Sequence, residues 1–223
     1  MIAAIRSHGF RVLIADDNSP DGTGEIADGL ADRAVQVLHR PGKQGLGRAY
    51  ADAFDQLAHD ESVSIICQID ADFSHDPHDL PRLVAAIRNG ADLAIGSRYV
   101  PGGATPDWPM HRRWLSTGGN RYANVMLGLK VHDCTAGFRA WRAPKLHGLV
   151  VSTAQASGYG FQVEMTRRAR EAGLAIAEIP ILFRDRRFGT SKMGLPIVVE
   201  AMWLVTRWGM ARRLGACNQN RVR

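Results

Sequence analysis

Short apolar runs alternate with longer segments of helical spacing along the first hundred residues. Unbroken apolar runs of this length are typical of strands that are covered on both faces. Such runs predict strands at Val12–Ala15, Val35–His39, Ser64–Ile69 and Asp92–Gly96. The segments between them predict helices over 24–33, from the glycine-bearing loop 41–45 to about 58, and over 79–88. The alternation predicts an α/β fold with a mostly parallel sheet.

The second half of the chain has a less regular pattern. Helices are predicted over 112–127 and 161–172, and strands over 138–141 and 174–183. Pro180 places the last strand at the edge of the sheet, since proline cannot donate a ladder hydrogen bond.

An apolar-rich helix is predicted over 196–213. It contains two tryptophans, and arginines lie in its second half: Trp203, Trp208, Arg207, Arg212 and Arg213. Apolar residues flanked by arginine and tryptophan suit an amphipathic helix in a membrane surface, next to a lipid substrate. A helix that caps the core would have the same composition, so both interpretations remain open.

Acidic residues follow two of the predicted strands. Asp16-Asp17 ends the first strand, and Asp70-Ala71-Asp72 ends the third. Ligands bind beyond the carboxyl ends of parallel strands, and carboxylates crowded there repel one another unless a cation lies between them. Mg²⁺ and Mn²⁺ favour carboxylate oxygens and bridge to substrate phosphates. The alternative is that these acids are helix caps or solvated loop residues.

Basic residues form a second set. Arg98 follows Gly96-Ser97, Arg112 and Arg113 precede Ser116, and the segment 184–192 holds three arginines and Lys192. Guanidinium groups bind phosphate oxygens bidentately, so the set suits a leaving diphosphate and an anionic acceptor, the alternative being a solvated basic face. Gly45-Leu46-Gly47 opens a helix, but neither a Walker motif nor a G-x-G-x-x-G fingerprint is present.

Composition narrows the function classes. The 223 residues carry a net charge of +6, and the pI is about 9.6; this balance favours an anionic partner or only aids solubility. No linker divides the chain, so one domain over 1–223 is expected. The three cysteines form no metal-binding or disulfide pattern, and no apolar run is long enough to span a bilayer. A cytoplasmic location is the default.

Several motifs occur together in an order that resembles one enzyme family. They are the acid-ended strands, Gly45-Leu46-Gly47, Gly96-Ser97-Arg98-Tyr99, Asp133-Cys134-Thr135-Ala136-Gly137-Phe138-Arg139, Gly158-Tyr159-Gly160-Phe161-Gln162 and Gly189-Thr190-Ser191-Lys192. The chain resembles the polyprenol (dolichyl) phosphate mannosyltransferases, especially the actinobacterial polyprenol monophosphomannose synthases. These are inverting family 2 glycosyltransferases with a GT-A fold.

The resemblance implies a donor site. Asp16 or Asp17 would contact the nucleotide, and Asp70-Ala71-Asp72 would bind the donor diphosphate, with Asp70 and Asp72 holding Mg²⁺ or Mn²⁺. A late loop would close over the donor with two basic residues, Arg186 and Lys192. Asp72 and Arg98 are the residues expected to be catalytic.

The resemblance also implies an acceptor site. Arg98, Arg112 and Ser116 would bind the phosphate of a polyprenyl lipid. The expected partners are GDP-mannose, the lipid phosphate, and a membrane surface or a membrane protein, with the enzyme peripheral on the inner face of the cell membrane. Nucleic acid is not expected, because the arginines accompany acidic strand ends and no recognition motif is present.

Two departures from the family pattern affect these expectations. Ser74 stands where relatives often have glutamine as a further metal ligand. Relatives also begin with an additional strand, and no such segment precedes Val12. The chain is therefore expected to lack the family's first strand and to be truncated at its N-terminus. A related enzyme that uses UDP-glucose or another sugar nucleotide, and an inactive truncated remnant, remain alternatives to a metal-dependent GDP-mannose enzyme.

Overall fold

The computed structural model describes residues 1–149, 151–154, 156, 160–185 and 195–219. The strands are β1 Val12–Asp16, β2 Val35–His39, β3 Ile65–Gln68, β4 Leu93–Ser97, β5 Arg139–Arg142 and β6 Ile176–Pro180. The α-helices are α1 Ile2–Arg6, α2 Thr23–Asp28, α3 Leu46–Ala58, α4 Leu80–Arg88, α5 Met110–Leu127, α6 Ala143–His147, α7 Gly160–Glu171 and α8 Leu195–Gln219.

The strands described form two sheets. β3, β5, β4 and β6 lie side by side in that order, and β1 pairs in parallel with β2. β4 and β6 are parallel, whereas β5 runs antiparallel to both of its neighbours, β3 and β4. The α/β class is therefore confirmed, with one reversed strand inside the larger sheet. β6 lies at the edge of that sheet, as Pro180 at its end predicted.

The larger sheet carries apolar clusters on opposite faces of β4. Leu93 and Ile95 belong to one cluster, which includes Trp141 of β5 and Phe161 of α7. Ala94, between them, belongs to the other cluster, with residues from α4. This alternation follows from the two-residue period of a strand. All five residues of β4 are buried, as its unbroken apolar sequence predicts.

β1 is less buried than its sequence predicted. Val12, Leu13 and Ile14 are half-buried, Ala15 is exposed, and only Asp16 is buried. In the part of the chain that is described, β2 is the only strand that β1 pairs with. Its other edge lacks a neighbouring strand there, so apolar residues that were expected to be covered on both faces are partly covered.

Two helices differ from their predicted bounds. α2 ends at Asp28 rather than at 33, because the Asp32 carboxylate accepts hydrogen bonds from the backbone N–H groups of Ala34 (2.7 Å) and Val35 (2.8 Å) and turns the chain into β2. α8 was predicted over 196–213 and is longer. It packs on α5 and α7 rather than on the sheet. Over the described ranges, every helix is too short or too polar to cross a membrane.

Candidate active site

The first acid pair lies where β1 ends. Asp16 is buried and its Oδ2 accepts a hydrogen bond from the Ser19 backbone N–H at 3.3 Å. Hydrogen bonds from Ser19 hold the pKa of Asp16 below its usual value. A Cβ at Gly24, the second residue of α2, would lie 2.8 Å from Asp16 Oδ2. The start of α2 therefore closes around the carboxylate, which remains ionised near neutral pH.

Asp17, the second acid, has a basic partner that the sequence analysis did not single out. Arg40 is buried, donates from its Nη1 to Asp17 Oδ1, and donates from its Nε to Asp52 Oδ2 at 2.9 Å. Arg40 directly follows β2, whose last residue pairs with Asp16. A basic residue one position beyond a neighbouring parallel strand is the signal that could have identified it. The nucleotide contacts expected for Asp16 and Asp17 stay predictions.

The acidic triplet follows β3 in a tight turn. Asp70 Oδ1 accepts from the Tyr50 hydroxyl at 3.3 Å, and Asp72 Oδ1 accepts from the Ser74 backbone N–H at 3.0 Å. Phe73, which follows Asp72, has φ of 58°, a left-handed conformation that is strained for a bulky residue. Both carboxylates are half-buried, with Ala71 exposed between them. The turn thus holds two partly solvent-accessible carboxylates two positions apart.

Tyr50 and Gly137 lie against the carboxylate of Asp70. A Cβ at Gly137 would lie 3.4 Å from Asp70 Oδ2, an ordinary van der Waals contact, so this part of the backbone lies directly against the carboxylate. Burial and the Asp70 charge raise the pKa of Tyr50 well above its usual value, so the phenol remains a donor. Gln162 Nε2 is buried beside Gly137 and has no hydrogen-bond partner among the described residues.

His75 lies close to the triplet and was not among the predicted site residues. Its ring is buried, its Nε2 is 4.0 Å from Asp70 Oδ2, and it packs on Phe138 with ring centroids 5.1 Å apart. Burial lowers the pKa of His75 to about 4. Ser74 beside it is also buried. The imidazole is therefore neutral at physiological pH and adds no charge to the acidic turn.

Arg98 forms a buried ion pair with Asp133. Its Nε and Nη2 each donate to an Asp133 carboxylate oxygen at 2.7 Å, and Nη2 also donates to Thr135 Oγ1 at 2.7 Å. The backbone N–H of Arg98 donates to Asp133 Oδ2 at 3.0 Å. The structure thus gives Asp133, whose role the sequence left open, a clear function in holding Arg98. A direct contact between Arg98 and phosphate stays a prediction.

The Asp133 loop is itself fixed by Glu178 of β6. Glu178 accepts from the backbone N–H groups of His132 at 2.7 Å and Asp133 at 2.9 Å. Asn120 of α5 accepts from the backbone N–H of Cys134 at 2.8 Å. A strand and a helix therefore set the position of the carboxylate that orients Arg98.

Two of the three predicted acceptor residues, Arg98 and Arg112, lie over the ring of Trp108. The guanidinium carbon of Arg112 is 4.1 Å from the Trp108 ring centroid, and that of Arg98 is 5.3 Å from the same centroid. Arg112 Nη1 also donates to Asp185 Oδ1 at 2.8 Å. Ser116 Oγ accepts a hydrogen bond from the hydroxyl of Tyr99 at 2.6 Å, and Tyr99 directly follows Arg98 in the sequence. Arg98, Arg112 and Ser116 are therefore brought together, as their assignment to one site requires.

Aromatic rings connect the acidic and basic groups. The His75 ring centroid lies 5.1 Å from that of Phe183, which lies 5.3 Å from that of Trp108. The acidic turn and the arginines thus share one wall. The sequence motifs predict this proximity but not the rings that create it. The predicted donor-loop residues Arg186 and Lys192 lie outside the described residues.

The α/β fold and the acids at the ends of two strands define a GT-A type nucleotide-diphospho-sugar transferase. The family model described as glycosyl transferase family 2 matches residues 1–149. The chain belongs to this family and is a glycosyltransferase, which confirms the resemblance found in the sequence.

Curated relatives make the family assignment more specific. The chain is 48% identical over 204 residues to an undecaprenyl-phosphate mannosyltransferase of Micrococcus luteus, covering 91% of this chain and 83% of the relative. It is 46% identical over 207 residues to a polyprenol monophosphomannose synthase of Mycolicibacterium smegmatis, covering 91% and 77%. The relatives are thus polyprenol phosphate mannosyltransferases.

Solved structures support the fold. A glucosyl-3-phosphoglycerate synthase from Mycobacterium tuberculosis, in complex with Mn²⁺ and UDP-glucose, superposes with a TM-score of 0.61 at 21% identity. The match covers 90% of this chain and 67% of the other. At this identity the likeness establishes the shared GT-A architecture.

Proposed function

We propose that this chain transfers mannose from GDP-mannose to a polyprenyl monophosphate, in a reaction that depends on Mg²⁺ or Mn²⁺. The observation that carries the proposal is the aromatic wall that the acidic turn shares with Arg98 and Arg112. Ser116 adjoins it through its hydrogen bond with Tyr99. The identity of 46–48% to relatives named for this lipid chemistry supports it. The site on the enzyme would face the inner side of the membrane that holds the lipid.

The donor set in the turn fits a hard divalent cation. Mg²⁺ binds through one or two carboxylates, keeps several waters and shares substrate phosphate oxygens, so Asp70 and Asp72 suffice as protein ligands. Among the described residues, no three His, Cys, Asp or Glu side chains form a complete cage. When bound, the cation would offset negative charge on the leaving diphosphate.

The acceptor needs little help with proton transfer. The second pKa of a phosphate monoester is about 6, so its oxygen is largely ionised near neutral pH. No strong general base is required, and the residues must instead align that oxygen with the anomeric carbon. Alignment can lower the barrier by roughly 7–11 kcal/mol. In this proposal Arg112 and Ser116 would hold the phosphate. The hydrogen bonds from Arg98 to Asp133, which fix the orientation of Arg98, support a role for Arg98 beside them.

The proposal is tested with labelled sugar nucleotides. The protein is incubated with Mg²⁺, polyprenyl phosphate and either labelled GDP-mannose or labelled UDP-glucose. Label is expected in the lipid fraction with GDP-mannose only. Label from UDP-glucose alone would assign a different donor, and no label from either would favour an inactive remnant.

Asp72→Ala tests the acidic turn in the same assay. We expect transfer to fall by about 100-fold or more, because charge stabilisation worth several kcal/mol is lost. The circular dichroism spectrum should be unchanged, since Asp72 is half-buried in a surface turn. Asp55→Asn, an exposed acid on α3, is the matched control and should retain full activity. Full activity of the Asp72→Ala protein would refute the assignment of this turn.

A further inference from the structure

Gln162 is a buried polar residue near the acidic turn, and the proposed reaction leaves it without a role. It lies in the first turn of α7 and is 1% exposed, and its side-chain Nε2 has no hydrogen-bond partner among the described residues. A buried amide without a partner is uncommon, because its N–H groups have lost their hydrogen bonds to water. An acceptor that reaches this amide in the working protein would explain why it is retained.

The direction of the Gln162 amide follows from its neighbours. The Trp141 indole can only donate, and its Nε1 donates to Gln68 Oε1 at 2.8 Å. The other end of the Gln68 amide, Nε2, therefore donates to Gln162 Oε1, at a distance of 3.3 Å. The oxygen of Gln162 is thus already in use, and its Nε2 is the end that needs an acceptor.

The unpaired end of Gln162 lies close to Asp70. A Cβ at Gly137 would lie 3.8 Å from Gln162 Nε2 and 3.4 Å from Asp70 Oδ2, so both atoms border the same point. Arg139 holds this part of the backbone in place, because its Nε donates to the carbonyl oxygen of Ala136 at 2.8 Å. The Asp70 carboxylate is therefore a charged acceptor near the unpaired amide.

The start of α7 is held against the same turn. Phe161 stacks on Tyr50, with ring centroids 5.9 Å apart and an interplanar angle of 5°. The Tyr50 hydroxyl in turn donates to Asp70 Oδ1 at 3.3 Å. Phe161 therefore supports Asp70 through Tyr50, on the side of Oδ1, whereas the next residue of α7, Gln162, lies on the side of Oδ2.

A carboxylate that binds a metal ion needs such support. The side chain of Asp70 is 40% exposed, so burial alone does not set its orientation. Hydrogen bonds from residues behind a metal ligand fix the direction in which the ligand points. A neutral amide can do this without offsetting the negative charge that attracts the cation, whereas an arginine or lysine in its place would offset that charge.

We propose that Gln162 is a positioning residue for Asp70: in the cation-bound protein its Nε2 donates to the Asp70 carboxylate and directs that carboxylate toward the cation. The inference rests on the proposed function in one respect, because it takes Asp70 as a ligand of Mg²⁺ or Mn²⁺. It does not depend on which sugar nucleotide or which acceptor the enzyme uses.

Titration of the full chain with Mn²⁺, followed by the EPR signal of the free ion, tests the inference without any substrate. Gln162→Met keeps the length of the side chain and removes both N–H groups. We expect the dissociation constant for Mn²⁺ to rise by about tenfold or more, as is usual when a residue behind a metal ligand is replaced. Thr166→Val is the matched control and should bind Mn²⁺ as the wild type does. Thr166 is fully buried one turn further along α7, and its hydroxyl donates to the backbone oxygen of Gln162 at 2.8 Å.

Thermal unfolding of the metal-free proteins shows whether each variant folds. Gln162→Asn replaces the methionine variant if that protein does not fold, because it keeps a polar amide but is one methylene shorter. It should weaken Mn²⁺ binding by a similar factor, since the shorter side chain withdraws the donor from Asp70. Wild-type affinity in a folded Gln162 variant, or a wild-type protein that binds no Mn²⁺, would overturn the inference. An equal loss in Thr166→Val would also overturn it, since the packing of α7 rather than the amide would then control the site.

Transfer assays separate this inference from the proposed function. In Gln162→Met the Mn²⁺ concentration for half-maximal rate should rise by about tenfold, while the KM for polyprenyl phosphate should stay at its wild-type value. A parallel rise in that KM would count against a role confined to Asp70. If the wild-type protein binds Mn²⁺ more tightly than Gln162→Met but transfers from neither sugar nucleotide, the proposed function fails and the inference stands. If transfer occurs and its Mn²⁺ requirement is the same in both proteins, the inference fails and the proposed function stands.

Discussion

Replacing Asp133 by asparagine tests whether the buried ion pair with Arg98 organises the site. Asp133 is fully buried and accepts three hydrogen bonds from Arg98 and one from Thr135. Asparagine preserves the shape but removes the charge and turns one acceptor atom into a donor. Breaking a buried pair costs about 3–5 kcal/mol. We expect about 3 kcal/mol, because one acceptor oxygen remains.

Thermal unfolding followed by circular dichroism measures this cost. In a chain of this length 1 kcal/mol shifts the midpoint by about 2–4 °C, so a fall of about 6–12 °C is expected. Asp185→Asn is the control. Asp185 pairs with Arg112 at 2.8 Å, but the side chains are 42% and 30% exposed, so the loss should stay below about 1 kcal/mol. Equal shifts in the two variants would refute the argument that burial sets the strength of the pair.

The pH dependence provides a second readout. Burial acts to raise the pKa of Asp133, but the charge and hydrogen bonds of Arg98 outweigh it and hold the pKa below its ordinary value. Since the folded pKa lies below the unfolded value of about 3.9, the stabilisation is complete above that pH and is lost as the pH falls through the folded value. The difference between wild type and Asp133→Asn should therefore persist at pH 5. If lowering the pH only to near neutrality already made the two proteins equally stable, the assignment of a low pKa to Asp133 would be contradicted.

Other substitutions test the packing around the site. Gly47→Ala should destabilise by about 1–3 kcal/mol in urea unfolding, because the new Cβ would lie 2.6 Å from the Ala156 carbonyl oxygen. Gly118 lies in α5 with open space around it, so Gly118→Ala should raise the free energy of unfolding by about 0.5–1 kcal/mol. Equal effects of the Gly47 and Gly118 substitutions would contradict the argument from packing. Glu178→Gln should cost about 2 kcal/mol, since charged acceptors of the Asp133 loop are lost. An unchanged urea midpoint would show that the loop is held by other contacts.

The sequence predicted the strands and helices whose apolar pattern is local. Val35–His39 has the predicted bounds, and β4 is buried throughout as its composition implies. β5 shows the limit of prediction from a local apolar pattern. Arg139 and Trp141 are both fully buried in it, and Arg139 donates to the carbonyl oxygens of Ala136 and Cys134 at 2.8 Å. Whether an arginine can be buried depends on the carbonyls that the fold supplies, and an isolated four-residue pattern does not contain that information.

The candidate site, like the fold, could be predicted only in part from the sequence. The spacing of acids after strands predicts Asp70 and Asp72 as site residues, because a strand that ends in carboxylates is recognisable without its neighbours. The packing of His75 against Phe183, and of Phe183 against Trp108, was not recognisable, since each ring comes from a different segment.

By itself the sequence determined which residues carry charge at the strand ends, and through its motifs the enzyme family. Only the tertiary structure decided the partners of those residues. Asp133 binds Arg98 across 35 positions of sequence, and Arg40 binds Asp17 across 23. Strand order and loop packing bring such distant groups together. The strength of the resulting ion pairs depends on their burial, which no local sequence pattern encodes.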